Sequence, residues 1–595
     1  MGSMGFMADF RTAANRIARS RWMMLVAAFL FMSSIGAFYS FGVYSQFMKI
    51  TLNYNQQTLD TIAFFSSLYL GIIPGLINDY LGASSAILAG SGLNIFGFLM
   101  IWLAITKIIP RPQIWQMCFY HLAGANSGAF VSTAVLTTSV KNFSASRGMV
   151  IGLLKGYLGL SGALLTQIYL AIYGNNPSAY VLLATWLPAA VYLLLMVFIR
   201  PLPQHRGENE TQKLYLFLGA AVLLAAYMMV VNLVQNFENV SHIDNEIIAA
   251  VMIVILFLPL IVVFRSDLSP QSLEREQNED EESVEGTGGG NSEPSLQEDS
   301  HSVSSHTPLL PEISSEDQTS NNPRGEVSCR SMRRYFKLDD FLTGLRNQPS
   351  RGDDYTILQA LLSLDIWILF VALTCGFGAG VTVIQNIGQI GSSLGYSQLH
   401  VTTAVSLLNI WGFIGRVGFG FASELFLQRK GVPRPLFFAV ILATLCAGQL
   451  IFAFNLPGAF YVGSMVVGMC YGAQWPVMTA MVSEIFGLKF FGTFYNFAIL
   501  ASPLGSYILS VRVAGYLYDR EANKQHAVHA IFHKRAASIL VQSTQKSALL
   551  CYGVQCYRLS FFIMATFSMF ACFLSLILTA RTRGFYKKQI LIYNK

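Results

Sequence analysis

Lys155 is the residue whose type and place in the sequence suggest chemistry most directly. It follows Arg147 by eight positions inside an apolar run, so on a helix it would lie roughly 12 Å beyond that residue. Nearby glycines would let a neighbouring helix or a solute come close, namely Gly148, Gly152, Gly156, Gly159 and Gly162. An ammonium there could bind an anionic group or alternate between salt bridges. We predict that Lys155 lines a solute path; the alternative is that its side chain reaches out to the nearer membrane surface.

Uncharged polar side chains also fall in the middle of apolar runs. These are Gln167, Gln385, Asn386, Gln389, Gln474 and Asn496. In lipid such side chains need partners, so they must face other helices. The pattern is typical of hydrogen bonds between helices and equally of a hydrophilic solute path. We include all of them as candidates for the path.

Two stretches of the sequence place an acid four positions after a glycine. Gly75-x3-Asp79 is followed by Gly82, and Gly420-x3-Glu424 recurs 345 residues further on. The glycine lets two helices approach closely, and a carboxylate at a helix end can cap a partner helix or pair with a cation. Each stretch is therefore a candidate latch that would break when two helical bundles rock.

Arg416 lies in the predicted helix that leads into the second stretch. An arginine inside an apolar helix is costly unless it is paired or reaches the surface, and Glu424 follows two turns later. We predict a cytosolic gate containing Arg416, Glu484 and both glycine–acid stretches; the alternative for Arg416 is a surface anchor. Arg147-Gly148 and Phe491-Gly492 are matched at an offset of 344, so the sequence indicates a duplicated architecture.

Long apolar segments must position these residues. The 595-residue chain is 53% hydrophobic and 12% charged, whereas a soluble protein would carry about a quarter charged residues. Runs of about 20 apolar residues cross a bilayer as helices, because a helix satisfies its own backbone polar groups. The predicted fold class is an all-α polytopic membrane protein, with two six-helix bundles and an inserted helix pair. We predict about fourteen spans, at 22–45, 58–77, 84–106, 113–140, 148–173, 179–199, 214–234, 246–264, 366–388, 400–422, 436–454, 459–482, 494–514 and 559–580.

Composition and charge divide the chain further. Lys and Arg collect in alternate connections, which predicts that both termini are cytosolic. Between 265 and 355 the chain is rich in Ser, Glu, Asp, Asn and Gly, so we predict a disordered cytosolic linker that kinases could modify. The predicted domains are a cytosolic N-terminus (1–21), a first six-helix bundle (22–200), the inserted pair (201–264), the linker (265–355), a second six-helix bundle (356–580) and a basic cytosolic tail (581–595).

Two modifications are predicted on the outer side of the membrane. Cys551 and Cys556 are spaced for a disulfide under oxidising conditions, and Asn239-Val-Ser241 is an N-glycosylation sequon. The sequence has no nucleotide-binding loop, no metal-ligand spacing and no catalytic constellation. We therefore expect no enzyme activity, no cofactor and no metal. The basic residues lie beside apolar runs, which argues against nucleic-acid binding.

Five stretches of the sequence are more specific than apolar composition. They are Arg21-Trp22, the run from Gly148 to Gln167, the run from Gln385 to Gly395, the run from Ser483 to Asn496, and Tyr518-Asp519. These motifs resemble those of the plant nodulin-like transporters, including the nuclear-fusion-defective type, and the resemblance covers nearly all of the chain except the linker. It implies a major facilitator fold with a nodulin-like first bundle, a plant source, and a plasma-membrane or endomembrane address such as the vacuole or endoplasmic reticulum.

Two functional hypotheses follow from the sequence. The first is secondary active or facilitative transport of a small polar solute, with an anion as one option, by alternating access in the bilayer. The second is a regulator or scaffold that transports nothing and signals through the 265–355 linker.

Overall fold

The structure is a computed structural model, and it is all-helical over the residues it describes. The N-terminus up to residue 19, linker residues 268–348 and the sequon at Asn239 lie outside those residues. The described residues are 20–36, 44, 47–48, 51–54, 58, 61–62, 65, 71–174, 176–202, 210–237, 241–267, 349–396, 398–455, 457–525 and 551–593.

Six helices make up the described part of the first half. The Ser20 side chain accepts the N–H of Trp22 at 3.2 Å, and the Asn176 side chain accepts the N–H of Ser178. These caps satisfy N–H groups that a helix start leaves unpaired. The helices are α1 (Arg21–Ser34), α2 (Ile73–Leu81), α3 (Ala83–Ile105), α4 (Ile114–Asn142), α5 (Arg147–Tyr173) and α6 (Pro177–Leu195), the last continued by a 3-10 turn, Met196–Phe198.

The inserted pair consists of α7 (Glu210–Phe237) and α8 (His242–Asp267), which pack beside α5. Gln167 of α5 and Gln235 of α7 exchange two side-chain hydrogen bonds, at 2.9 and 3.0 Å. Gln235 also donates to Asn245 of α8 at 3.0 Å. Amides buried among apolar helices bond to each other strongly because water does not compete. Gln167 therefore fastens the inserted pair to α5.

The second half is built from eight α-helices and one π-helical segment among the described residues. Pro503 has no backbone N–H, and the α-helical run is interrupted shortly before it. The elements are α9 (Ile357–Leu362), α10 (Leu364–Ser393), α11 (Gln398–Lys430), α12 (Arg434–Phe454), α13 (Ala459–Ile485), α14 (Phe491–Ile499), α15 (Ala501–Ser506), the π-helical segment Tyr507–Gly515 and, after further helical residues, α16 (Gln555–Tyr593).

Eleven helices among the described residues are long and apolar enough to cross a membrane, and each overlaps one of the predicted spans. The other three predicted spans, at 22–45, 58–77 and 113–140, are not among these eleven helices, each for a different reason. α1 is 14 residues long, and α2 covers only the last turns of the span predicted at 58–77. α4 has a full 29 residues, but many of its buried positions are polar.

Two predicted boundaries differ from the structure. The linker predicted over 265–355 is shorter at both ends, because α8 runs to Asp267 and residues 349–355 pack against the second half. The tail predicted at 581–595 continues α16 as far as Tyr593. Arg581 in this extension pairs with Asp365 at the start of α10, and such a partner holds a basic residue in a helix rather than in a free tail.

Candidate functional site

The two halves meet most closely at the end of the bundle where α5 begins and α11 ends, here called the charged end. The carboxylate of Glu424, on α11, accepts the backbone N–H of Gly148, the second residue of α5, at 2.7 Å. Gln428 donates to the Ala145 carbonyl across the same interface, at 3.1 Å. An anion at a helix start satisfies an unpaired N–H and interacts favourably with the helix dipole. We call the Glu424–Gly148 contact the α11 latch.

Arg434 neutralises the α11 latch. Its guanidinium donates to Glu424 at 2.6 Å and to Glu484 at 2.7 Å, and it is fully buried. Glu484 also accepts the hydroxyl of Tyr586 at 2.9 Å, and Ser423 accepts a further Arg434 N–H at 2.8 Å. A buried charge is tolerated when it is paired and its hydrogen bonds are filled. Glu424 and Glu484 of the predicted gate thus lie together, joined by a cation from α12.

A second latch joins the matching elements with the halves exchanged, α2 of the first half and α14 of the second. The carboxylate of Asp79, on α2, accepts the N–H of Gly492 at 3.3 Å, the N–H of Thr493 at 2.7 Å and the Thr493 hydroxyl at 2.8 Å. It therefore caps the start of α14 as Glu424 caps the start of α5. Asn78 donates to the same carboxylate at 3.1 Å, and the first-half position that matches Arg434 is Ala89. This α2 latch has no buried arginine at the position where the α11 latch has one.

Glycines let the helices of the two halves approach closely at both latches. A Cβ added to Gly420 would lie 2.6 Å from the Cα of Gly152, and one added to Gly75 would lie 2.5 Å from the Gly492 carbonyl oxygen. Side chains at these positions would push the two halves apart. Gly82 has another role: its positive φ of 88° ends α2, a conformation that glycine adopts without strain.

Lys155 lies two turns further along α5, at the interface between the halves. It is 3% exposed and donates to the hydroxyl of Tyr495 on α14. Its ammonium nitrogen is 4.9 Å from the Tyr495 ring centroid and 5.1 Å from that of Trp475 on α13. Cation–π contacts favour a buried ammonium but do not neutralise it. Lys155 therefore faces the second half and does not extend to the surface.

Arg416 lies beside the same stretch of α5. A Cβ on Gly159, one turn beyond Lys155, would be 2.6 Å from a terminal guanidinium nitrogen of Arg416. None of the ion pairs of the described residues includes Arg416 or Lys155, and Glu424 pairs with Arg434 instead. The gate that we predicted around Arg416 and Glu424 is therefore divided in space. Glu424 belongs to the α11 latch, and Arg416 belongs with Lys155.

Most of the uncharged candidates have partners in other elements. Asn496 donates to Thr133 of α4 at 2.8 Å and so also crosses between the halves. Gln474 is fully buried on α13, with its amide 3.5 Å from the Gly376 carbonyl. The other three lie on α10: Gln385 accepts Ser506, Asn386 donates to Ser510, and Gln389 accepts Tyr557. These three connect helices of the second half.

Residues 349–356 form a strap across the loop between α13 and α14. The N–H groups of Gly352 and Tyr355 donate to the carbonyls of Ile485 and Phe486, both at 3.1 Å. The Asp354 carboxylate accepts the N–H groups of Leu488 and Lys489, both at 2.9 Å. The strap borders a cavity of about 400 Å³ whose lining includes Arg147, Ser483 and Glu484. The chain that follows the linker is therefore attached directly beside the α11 latch.

At the opposite end of the bundle, Cys551 and Cys556 are joined by a disulfide just where α16 begins. The N–H of Cys551 donates to the Tyr518 hydroxyl at 3.2 Å. The pairing predicted from the sequence is thus present in the structure, and it closes the turn into the last helix.

Four residues of this site carry no signal in the sequence that singles them out. Arg434 is one of several basic residues near the connection after α11, and it follows Glu424 by ten positions. Tyr495 and Trp475 are two of many aromatic residues in this chain, so residue type alone does not single them out. Asp354 was assigned to the linker. Burial and helix pairing decide these roles, and neither is visible in residue type alone.

Comparisons with known proteins follow the two halves of the chain. Residues 21–264 match the family model described as Nodulin-like, and residues 354–542 match the model described as NFD4, C-terminal domain. Protein NUCLEAR FUSION DEFECTIVE 4 of Arabidopsis thaliana is 23% identical over 580 residues, 96% of this chain and 90% of that protein. Probable transporter MCH2 of Saccharomyces cerevisiae is 25% identical over 189 residues, 30% of this chain and 39% of that protein.

Among solved structures, the chain is similar to a double tryptophan mutant of XylE, which is a major facilitator superfamily proton:xylose symporter. The TM-score is 0.50 at 10% identity, over 94% of this chain and 95% of that one. At this identity the likeness concerns the fold alone. The predicted fold class and the family resemblance are both confirmed.

Proposed function

We propose that this chain, which matches the Nodulin-like model over residues 21–264, is a transporter of the major facilitator type that carries a small anionic solute across a membrane by alternating access. The observation that carries the proposal is the pair of cations, Lys155 and Arg416, at the interface between the halves. The similarity to probable transporter MCH2 supports a transport function, and the solute class is inferred from this chain's own residues.

The charge balance at the interface favours an anion. Lys155 lies on α5, and Arg416 lies against Gly159, one turn further along the same helix. Neither cation belongs to an ion pair of the described residues. Holding cations inside a membrane protein without counter-charge is costly. A carboxylate or phosphate group between them would supply that charge and accept hydrogen bonds from both side chains. Trp475 and Tyr495 provide an aromatic wall beside the ammonium.

The two latches act as the gate of this proposed path. Lys155 lies seven residues beyond Gly148, about 10 Å along α5 from the α11 latch. Both latches join a helix end of one half to a helix start of the other, so rocking the halves apart would break them together. The geometry corresponds to a transporter closed at the charged end, the end that the distribution of Lys and Arg predicts to be cytosolic.

Ligand-induced stabilisation of the purified protein tests the proposal. A ligand that binds the native state raises its apparent stability by mass action. The panel would contain acetate, malate, citrate, inorganic phosphate and nitrate, with glucose as a neutral control. We expect at least one anion to raise the melting temperature of the wild type but not of Lys155→Gln or Arg416→Gln. Uptake of that anion into proteoliposomes should fail in both variants.

Arg429→Gln is the matched control, because Arg429 is an exposed cation at the end of the same helix as Arg416. It should respond to the anion as the wild type does. Equal stabilisation of the wild type and both interface variants, or a response to glucose alone, would contradict an anion site at Lys155 and Arg416.

The strap keeps the second hypothesis, signalling through the linker, open to test. It ties the chain after the linker to the loop that follows the last turn of α13, the turn that contains Ser483 and Glu484. Deleting residues 268–347 separates the two functions. A transporter would keep its flux in proteoliposomes, whereas a scaffold would lose its output.

A further inference from the structure

A cavity of about 950 Å³ opens at the end of the first half opposite the charged end. Its walls include Phe65 and one face of the start of α4, with Trp115, Cys118, Phe119 and Leu122. The volume lies within the range of about 300–1,000 Å³ typical of small-molecule sites. Neither latch nor Lys155 borders this cavity, so the proposed transport path does not account for it.

The chemistry of the cavity differs between its mouth and its depth. Arg111 lies at the connection before α4 and is exposed. Leu122 lies eight residues beyond Ile114, where α4 begins, so the apolar wall extends about 12 Å along the helix. A ligand that matches both parts has an anionic head and a hydrocarbon chain.

The basic mouth is held in shape by its neighbours. The Arg111 guanidinium lies 5.1 Å from the Tyr54 ring centroid, and one of its nitrogens donates to the Asn53 carbonyl at 3.3 Å. The Tyr54 hydroxyl donates to the Pro112 carbonyl at 3.2 Å. A guanidinium has five N–H donors, and none of the ion pairs of the described residues includes Arg111. Donors thus remain for a phosphate group.

The surroundings of the cavity indicate that its ligand comes from the bilayer. Trp115 is 65% exposed and Phe119 is 51% exposed, on the surface of an apolar helix bundle that lipid must cover. The indole N–H of Trp115 donates to Gln113 at 2.7 Å, and tryptophan is enriched at membrane–water interfaces. We propose that this cavity binds one acidic phospholipid, with its phosphate on Arg111 and an acyl chain along α4.

Lipid binding to the full-length protein in detergent tests the site. Native mass spectrometry and thermal unfolding would be recorded with dioleoylphosphatidylglycerol, with dioleoylphosphatidylcholine, and with glycerophosphoglycerol, which has the head group and no chains. We expect phosphatidylglycerol to bind and stabilise the wild type. Arg111→Gln should weaken that binding roughly tenfold, as expected for loss of one charge-assisted contact. Leu122→Trp, which fills the cavity, should weaken it as well.

Lys107→Gln is the matched control, because Lys107 is an exposed cation in the same connection but does not line the cavity. It should bind phosphatidylglycerol as the wild type does. The proposal is overturned if phosphatidylcholine stabilises equally, if Arg111→Gln retains full affinity, or if the chain-free head group reproduces the effect. Arg111 is exposed, so its substitution tests the site even if Leu122→Trp fails to fold.

Discussion

The carboxylate of Glu424 accepts the backbone N–H of Gly148 at 2.7 Å. The internal repeat matches these two residues with a second pair, and that pair is also in contact. Glu424 is matched by Asp79, Gly148 is matched by Gly492, and Asp79 accepts the N–H of Gly492. Each half therefore supplies one acid and one helix start to the other. The interface follows the duplication of the sequence, with an arginine added on one side only.

Substituting Gly420 by alanine should hold the charged end open. The new Cβ would lie 2.6 Å from the Cα of Gly152, and overpacking of this kind costs about 1–3 kcal/mol. Labelling of a cysteine introduced at Val417, a buried position that faces Gly156, should become faster. Gly418→Ala is the control, since its added Cβ would point into open space. Equal labelling rates in the two variants would mean that the glycine contact does not limit opening.

Arg434→Gln should destabilise the protein strongly. The change leaves Glu424 and Glu484 buried without their cation, and breaking a buried pair in this way costs about 3–5 kcal/mol. Thermal unfolding would measure the loss, and Arg429→Gln, an exposed change, should have little effect. Neutralising the whole group with Arg434→Met, Glu424→Gln and Glu484→Gln should recover much of the stability. If the triple variant is as unstable as the single one, unpaired charge is not the cause.

Mild acid should favour the closed α2 latch. Burial raises the pKa of the Asp79 carboxyl, and the hydrogen bonds from Thr493 only partly oppose this. Asp79 lies beyond the second predicted span, and opening would return it to water and to an ordinary pKa. The closed state then binds the proton more tightly, so its population rises as the pH falls towards the raised pKa. The measurement is the labelling rate of Val417→Cys divided by the rate of Val417→Cys combined with Asp79→Asn at the same pH. This ratio should fall on acidification. A ratio that does not change with pH would exclude Asp79 as the titrating group.

Asp354→Ala should loosen the strap. The carboxylate accepts two backbone N–H groups of the α13–α14 loop at an exposed site, so the change leaves both to bond with water and costs about 0.5–1.5 kcal/mol. Hydrogen exchange at Leu488 and Lys489 should accelerate. Asp353→Ala is the control because Asp353 is exposed and lies next to Asp354 in the same strap. Unchanged exchange in Asp354→Ala would show that the backbone bonds of Gly352 and Tyr355 hold the loop alone.

The sequence predicted the features that depend on composition and repetition. The apolar runs located the spans, and the matched glycine–acid stretches identified Asp79 and Glu424 as latch residues. What it could not predict was the partner of each acid. Arg416 and Arg434 are both arginines within twenty residues of Glu424, and only helix packing decides that Arg434 turns inward to full burial. Lys155 was located by its glycines, whereas its contact with Tyr495 joins residues 340 positions apart.

The reciprocity of the two latches has a consequence for assembly. A chain cut between 268 and 347 would yield a fragment with Asp79 and Gly148 and a second fragment with Glu424, Gly492 and the whole strap. Each fragment would carry one acid and the helix start that the other fragment's acid recognises. Two separately expressed polypeptides would therefore be complementary at both latches. Two separate contacts define the relative orientation of the fragments as well as adding to their affinity. Such a split protein offers a route to labelling one half alone before the two are recombined.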